Sequence, residues 1–143
     1  MDGTGFSHVA LACRDLEQTV SFYEKHLHMQ VVHARTDEHA RVAWVSDLAQ
    51  DFVLVLVEGP EPSTPMGRFA HFGVTCGSRT EVDAIATAAD VDGCLIDGPK
   101  ESGDLYWAFL RDPDGHQIEV SVGGHSIPGA VHAARRARAK GSK

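Results

Sequence analysis

Two histidines and one glutamate of this sequence, His8, His71 and Glu119, are of types that hold a divalent metal ion. Two imidazole nitrogens and a carboxylate oxygen form the three-donor facial set associated with non-haem iron, which zinc and manganese also accept, and the set leaves positions open for water or substrate. One histidine in a strand carries little weight, because histidine is intermediate in burial and often serves structure alone. Repetition supplies the weight here. Phe6-Ser7-His8-Val9-Ala10-Leu11-Ala12-Cys13 returns 63 residues later as Phe69-Ala70-His71-Phe72-Gly73-Val74-Thr75-Cys76, with Phe, His and Cys at identical spacing. Further along, Asp15 and Gln18 fall on Ser78 and Glu81, and Trp44 falls on Trp107. A repeat of this length marks two copies of one supersecondary unit.

Each copy has the same order of elements. Residues 6–13 and 69–76 alternate and are rich in Val, Leu and Phe, which predicts a strand. Asp15 with Gln18, and Ser78 with Glu81, read as a helix N-cap and its capping-box partner. Leu16, Val20, Tyr23 and Leu27 then recur at helical spacing, as do Val82, Ile85, Ala86 and Ala89, and Asp92-Gly93 ends the second helix. Strand-like segments follow at 30–35, 40–45 and 51–57, and again at 94–97, 105–111 and 117–122. Asp112-Pro113-Asp114-Gly115 is a strong turn before the last strand. The order is β-α-β-β-β, twice, an α+β fold, with modules at about 5–58 and 68–122. The stretch Gly59–Gly67, with three prolines, is expected to join them.

Alternation assigns faces. His8 shares its face with Phe6 and Ala10, and His71 with Gly73 and Thr75. Val9, Leu11 and Cys13, and Phe72, Val74 and Cys76, turn towards the helices, which makes Cys13 and Cys76 small core residues rather than nucleophiles. In the last strand Ile118, Val120 and Val122 form an apolar face, and Gln117, Glu119 and Ser121 a polar one that can line a cavity. His26, His28, His33 and His39 read as solvated, and His116 and Gln117 as near the surface of the turn.

Composition bounds the partners. The chain has 143 residues and formal charge −7, with 43% apolar and 23% charged residues, which is ordinary for one globular domain. From His125 on there are five basic residues and no acidic ones, leaving 8 basic against 20 acidic, or −12, for the body. Such a body is a poor nucleic-acid ligand, since phosphate neutralisation supplies most of that affinity. Residues 124–143 read as a basic, solvated tail. No apolar run is long enough to span a membrane. The N-terminus lacks the basic and apolar regions of a secretory signal. Three cysteines argue against a disulfide framework, so a reducing, cytoplasmic setting is expected.

Phe6-Ser7-His8-Val9-Ala10-Leu11, the Asp15–Tyr23 helix, His71-Phe72-Gly73-Val74 and Arg111-Asp112-Pro113-Asp114-Gly115-His116-Gln117-Ile118-Glu119 resemble the vicinal oxygen chelate superfamily of glyoxalases, fosfomycin-resistance enzymes, epimerases, extradiol dioxygenases and bleomycin-resistance proteins. The resemblance covers about residues 6–122. It implies paired βαβββ modules forming a curved mixed sheet around a metal cavity, often completed in a homodimer. It also implies His8, His71 and Glu119 as ligands of one divalent ion per chain, with Glu119 catalytic as well. Fe2+ is favoured, and Zn2+, Mn2+ and Ni2+ are acceptable. The expected reaction is Lewis-acid chemistry on a small substrate that chelates the metal through neighbouring oxygens.

This sequence departs from the subtypes. Glyoxalases and epimerases of the family resemble one another in a fourth ligand, Glu or Gln, on the last strand of the first copy. The matching residue here is Leu56 or Leu54, and Glu58, at the strand end with the same parity, stays open as a fourth ligand. The extradiol Tyr position holds Phe109, with Tyr106 turned to the opposite face. The basic, hydroxyl-rich loop expected for a phosphonate is missing between Gly98 and Trp107, where Lys100 is the sole base. Trp107, Phe109 and Arg111 are candidates for the substrate pocket, the aromatics as a wall and Arg111 as a carboxylate partner. The competing readings are a metal-free small-molecule binding protein and a member whose metal is structural.

Overall fold

A computed structural model describes residues 5–59, 66–67, 69–123 and 127–141. The expected linker falls largely outside these residues. The described elements are β1 (His8–Cys13), α1 (Leu16–Leu27), β2 (Gln30–Thr36), β3 (Arg41–Ser46), β4 (Val53–Glu58), β5 (His71–Thr75), α2 (Arg79–Val91), β6 (Leu95–Ser102), β7 (Leu105–Arg111), β8 (Gln117–Val122) and α3 (Ile127–Gly141). The strands form two four-stranded sheets, in the orders β1-β4-β3-β2 and β5-β8-β7-β6, so each βαβββ copy folds the same way. By packing, the chain divides into two compact units: residues up to His71 together with Arg111–Gln117, and Phe72–Leu110 together with residues from Ile118 on.

In the first sheet β1 runs parallel to β4, with His8 opposite Val53 and Leu11 opposite Leu56, and β4 and β2 flank β3 antiparallel. The parallel β1–β4 pair requires a long crossover, which α1, β2 and β3 supply. Leu11, Cys13, Ala43, Val45, Leu54 and Leu56 are buried, and with Phe22, Tyr23 and Leu27 of α1 they make the core of this unit. Asp15 caps α1 as expected, its carboxylate accepting from Gln18 N at 3.0 Å. Ser78 caps α2 in the same way through Glu81 N at 3.2 Å, and the Glu81 carboxylate reaches back to Gly77 N at 2.7 Å, one residue before the cap.

In the second unit Val82, Ile85, Ala86 and Ala89 of α2 are buried, as are Ala108, Leu110, Ile118 and Val120 of the sheet. β6 runs to Ser102, past the expected end at 97, so the stretch after Gly98 is strand rather than loop. Two register shifts carry it through Gly98-Pro99. Gly98 has φ +93° and a Cβ there would stand 2.7 Å from the Trp107 carbonyl oxygen, so only glycine lets β6 lie this close to β7.

The C-terminal stretch, expected as a basic, solvated tail, carries a helix. Ile127–Gly141 is a helix, although none of its residues is buried. Five alanines (Ala130, Ala133, Ala134, Ala137 and Ala139) give it high intrinsic propensity. Arg138 and Lys140 in the last turn oppose the negative end of its dipole. No described helix is long and apolar enough to cross a membrane.

Candidate functional site

His8 and His71 open β1 and β5, the equivalent strands of the two copies, and both are exposed. Each ring has its Nδ1 engaged close by. His71 Nδ1 stands 2.9 Å from the carbonyl oxygen of Phe69. A carbonyl only accepts, so the proton of the neutral ring is on Nδ1 and the lone pair is on Nε2. Metal-binding histidines are held in this way, one ring nitrogen donating to a carbonyl while the other faces the ion. Phe69 takes φ +66°, an outlier for a bulky residue, and it is the residue whose carbonyl orients His71. His8 Nδ1 lies 2.8 Å from Ser7 Oγ, which leaves Nε2 as its outward nitrogen.

Glu119 is half-buried in the middle of β8. Its neighbours Ile118 and Val120 are fully buried on the α2 side, so Glu119 takes the opposite face, as alternation predicts. In β7 the buried Ala108 and Leu110 mark the α2 side, where the Tyr106 hydroxyl also bonds Asp83 of α2. Trp107 and Phe109 therefore share the other face, edge to face with ring centroids 5.5 Å apart. Lys100 Nζ stands 5.7 Å from the centre of the Trp107 ring. Arg111, at the end of β7, is exposed.

Glu58 does not serve as a donor beside His8. It lies on the α1 side of β4 with Leu54 and Leu56, and its carboxylate is fully engaged. Leu16 N donates to it at 2.7 Å, and Arg41 donates through Nε at 2.9 Å and Nη2 at 2.8 Å. The same guanidinium binds Glu17, through Nη2 at 2.7 Å and through a second contact from Nη1. Asp15, Glu17 and Glu58 come close enough to be considered a cation site. Arg41 already supplies the positive charge there, so the cluster is an ion-pair network that also caps α1. The face of β4 that His8 shares carries Val53, Val55 and Val57. Leu54 and Leu56, the expected fourth-ligand positions, point into the core, and no residue of β4 offers a donor on the face of His8.

The Arg41 network makes a pH prediction. Hydrogen bonding to Arg41 lowers the Glu17 carboxyl from its usual 4.5 to about 2, and it lowers Glu58 as well. A depressed carboxylate stabilises the fold above its unfolded pKa and loses that contribution as pH falls through the folded value. Stability should therefore decline between about pH 4.5 and pH 2. In acid titrations followed by denaturant unfolding, Arg41→Ala should flatten that limb, and an unchanged slope would contradict the assignment.

A second acidic pair is structural. Asp112 Oδ1 accepts from Asp114 N and His116 N, both at 2.9 Å, and Oδ2 accepts from the Tyr23 hydroxyl at 2.9 Å. Asp114 accepts from Arg14 N at 3.1 Å, Arg14 Nε at 3.3 Å and Thr19 Oγ1 at 3.4 Å. Burial raises the Asp112 carboxyl, and its hydrogen bonds work against that rise. Burial, with Asp112 beside it, also pushes the Tyr23 hydroxyl up. The Asp-Pro-Asp-Gly turn thus does more than reverse the chain, since it docks on Arg14, Thr19 and Tyr23 inside the first unit. His116, expected near the surface, is 3% exposed, with Nε2 3.3 Å from the Ala12 carbonyl oxygen. His26, expected in solvent, is 4% exposed and packs against Phe22 at 5.1 Å. His33 is exposed but lies against Trp44. Burial pushes the Cys13 and Cys76 thiols up to about 11, which agrees with their reading as inert core residues.

Sequence reasoning missed a pocket beside His8. It has a volume of about 350 Å³ and is lined by Ser7, His8, Trp44, Asp51, Phe52, Val53 and Val55. The signal was present in the match of Trp44 to Trp107, which now appears as the third strand of each copy carrying a tryptophan on the face away from its helix.

Residues 5–120 match the sequence profile of the Glyoxalase/Bleomycin resistance protein/Dioxygenase superfamily. The chain belongs to this superfamily. It is 33% identical over 129 residues to an uncharacterized protein of Pseudomonas aeruginosa, covering 87% of this chain and 92% of that one. Its fold is similar to that of a possible glyoxalase from Bacillus cereus (TM-score 0.68, 25% identity, 84% of this chain and 100% of the other). It is also similar to a glutamate-to-glutamine mutant of a genomically encoded fosfomycin resistance protein of Listeria monocytogenes complexed with Mn(II) and 1S,2S-dihydroxypropylphosphonic acid (TM-score 0.71, 90% of this chain and 98% of the other). At 16% identity the latter likeness is one of fold alone.

Proposed function

We propose that this protein is a divalent-metal-dependent enzyme of the glyoxalase/dioxygenase type, acting on a small substrate that presents neighbouring oxygens to the metal. His8, His71 and Glu119 would hold the ion. The observation that supports the reading is that His8 and His71 open equivalent strands of the two copies, each with Nδ1 engaged close by, His71 with a carbonyl that leaves the Nε2 lone pair for a metal. With Glu119 the donor set is two imidazoles and a carboxylate, which suits Fe2+ first and also Zn2+, Mn2+ or Ni2+.

When bound, the ion would supply Lewis acidity at the substrate oxygens. The protein's own residues do the rest. Ser7 and the Phe69 carbonyl orient the two imidazoles. Glu119 supplies a carboxylate that can accept a proton from a bound substrate hydroxyl. Val53 and Val55 would give the substrate an apolar wall beside His8. Trp107, Phe109 and Arg111 remain candidates for further substrate contacts. A glyoxalase proper is disfavoured, because the face of β4 beside His8 carries only valines. The protein would act in the cytoplasm, as a homodimer.

Titrating chelator-treated protein with Mn2+, followed by electron paramagnetic resonance, tests the proposal. Saturation at about one ion per chain is expected. Absence of uptake would leave metal-free ligand binding as the function.

A further inference from the structure

We infer that α3 is an arm that docks on the solvent face of α2 in a second copy of this chain, each copy lending its arm to the other; the inference goes beyond the metal-dependent reading, whose failure would leave it standing. The arm has 15 residues, and none of them is buried. A helix of that length is marginal in water on its own, and a covered face is what normally holds it. α3 has such a face to cover. Ile127, Val131 and Ala134 recur at helical spacing and form an apolar stripe, with Ile127 80% exposed. Arg135 and Arg138 border that stripe, and the helix contains no acidic residue.

Charge selects the occupant. The arm is basic while the body of the chain carries −12, so the body of another copy attracts it. The same −12 repels nucleic acid and an anionic bilayer. The stripe also lacks the Trp, Phe and Leu side chains with which amphipathic helices enter a bilayer. α2 offers the complementary face. Ala84, Thr87 and Val91 are exposed on its solvent side, Val91 at 82%. Asp83 and Asp90, also exposed, border them two turns apart. Val91 and Ile127 are the most exposed large apolar residues of the described helices, and pairing α3 with α2 removes both from water. The small side chains of Ala84, Thr87, Ala130 and Ala134 let the two axes come close. In a twofold pair the exchange is made twice, so each attraction counts twice.

Sedimentation velocity of the full-length chain tests this on wild type, on Arg135→Glu and Asp90→Arg separately, and on the two variants mixed in equal amounts. Wild type should form a dimer that weakens as salt rises from about 0.05 M to about 0.5 M, because exposed charges are then screened. Each variant alone should dimerise about 10-fold or more weakly, since like charges face each other in both contacts. The mixture should regain wild-type affinity. There the reversed arm of one variant meets the reversed α2 of the other, and the second contact is native. Recovery on mixing also shows that both variants are folded. Variants that associate as wild type does, or a mixture no stronger than either variant alone, would overturn the inference. A monomeric wild type would overturn it too, and binding of that monomer to phosphatidylserine vesicles or to duplex DNA would give α3 that occupant instead.

Discussion

Replacing Asp112 by alanine should destabilise the protein by about 3–5 kcal/mol in denaturant unfolding. The carboxylate is 3% exposed and serves three donors at once: the Tyr23 hydroxyl, Asp114 N and His116 N. Alanine leaves all three without their acceptor, and each buried, unsatisfied donor costs about 1–3 kcal/mol. Part of that is offset, because the variant no longer buries a carboxylate whose desolvation already raises its pKa. Asp112→Asn keeps Oδ1 for the two backbone donors and presents an amide to the Tyr23 oxygen, so about 1–2 kcal/mol is expected. Tyr23→Phe removes one of the three bonds and should fall in the same range. Against a total stability of about 5–15 kcal/mol the alanine effect is large. A loss below about 1 kcal/mol in Asp112→Ala would show that the turn does not anchor the first unit as described.

The second large effect concerns metal affinity. His71→Ala removes one of three proposed donors, and His8→Ala another. Loss of a hydrogen-bonding partner that merely orients a ligand already costs about 10- to 100-fold, so loss of the ligand itself should cost about 100-fold or more. Both histidines are exposed. Their removal should therefore leave the stability of the metal-free protein within about 0.5 kcal/mol of wild type. Glu58→Gln provides the contrast. Its carboxylate is held by Arg41 and Leu16 N on the α1 side of β4. That variant should bind metal as wild type does while losing stability. Equal metal binding by His71→Ala and wild type would remove His71 from the ligand set.

Much of the fold was legible because the sequence states it twice. The repeated Phe-x-His…Cys strand, the Asp15 and Ser78 caps and the helical spacing of Leu16, Tyr23 and Leu27 are local signals, and local signals agree with the fold. The alternation of β8 placed Glu119 on the right face for the same reason. What stayed hidden depends on contacts distant in sequence. Nothing local says that Asp112 will meet Tyr23, 89 residues away, or that His116 will be drawn into the core beside Ala12. The tether of Glu58 to Arg41 is equally non-local, which is why its parity with Leu56 could not decide its role. The pocket was hidden because Ser7, Trp44 and Phe52 become neighbours only when β1, β3 and β4 pair. The helix at Ile127–Gly141 rests on alanine propensity, which the basic charge of the stretch masks in the sequence.

His8, His71 and Glu119 are proposed to hold one catalytic metal ion. Metal content by mass spectrometry, on wild type and Glu119→Gln purified side by side without oxygen, tests it most directly. About one divalent ion per chain is expected in the wild type, iron foremost, and little or none in Glu119→Gln, with both proteins folded by circular dichroism. Equal metal in the two proteins, or none in the wild type even after loading, would contradict it.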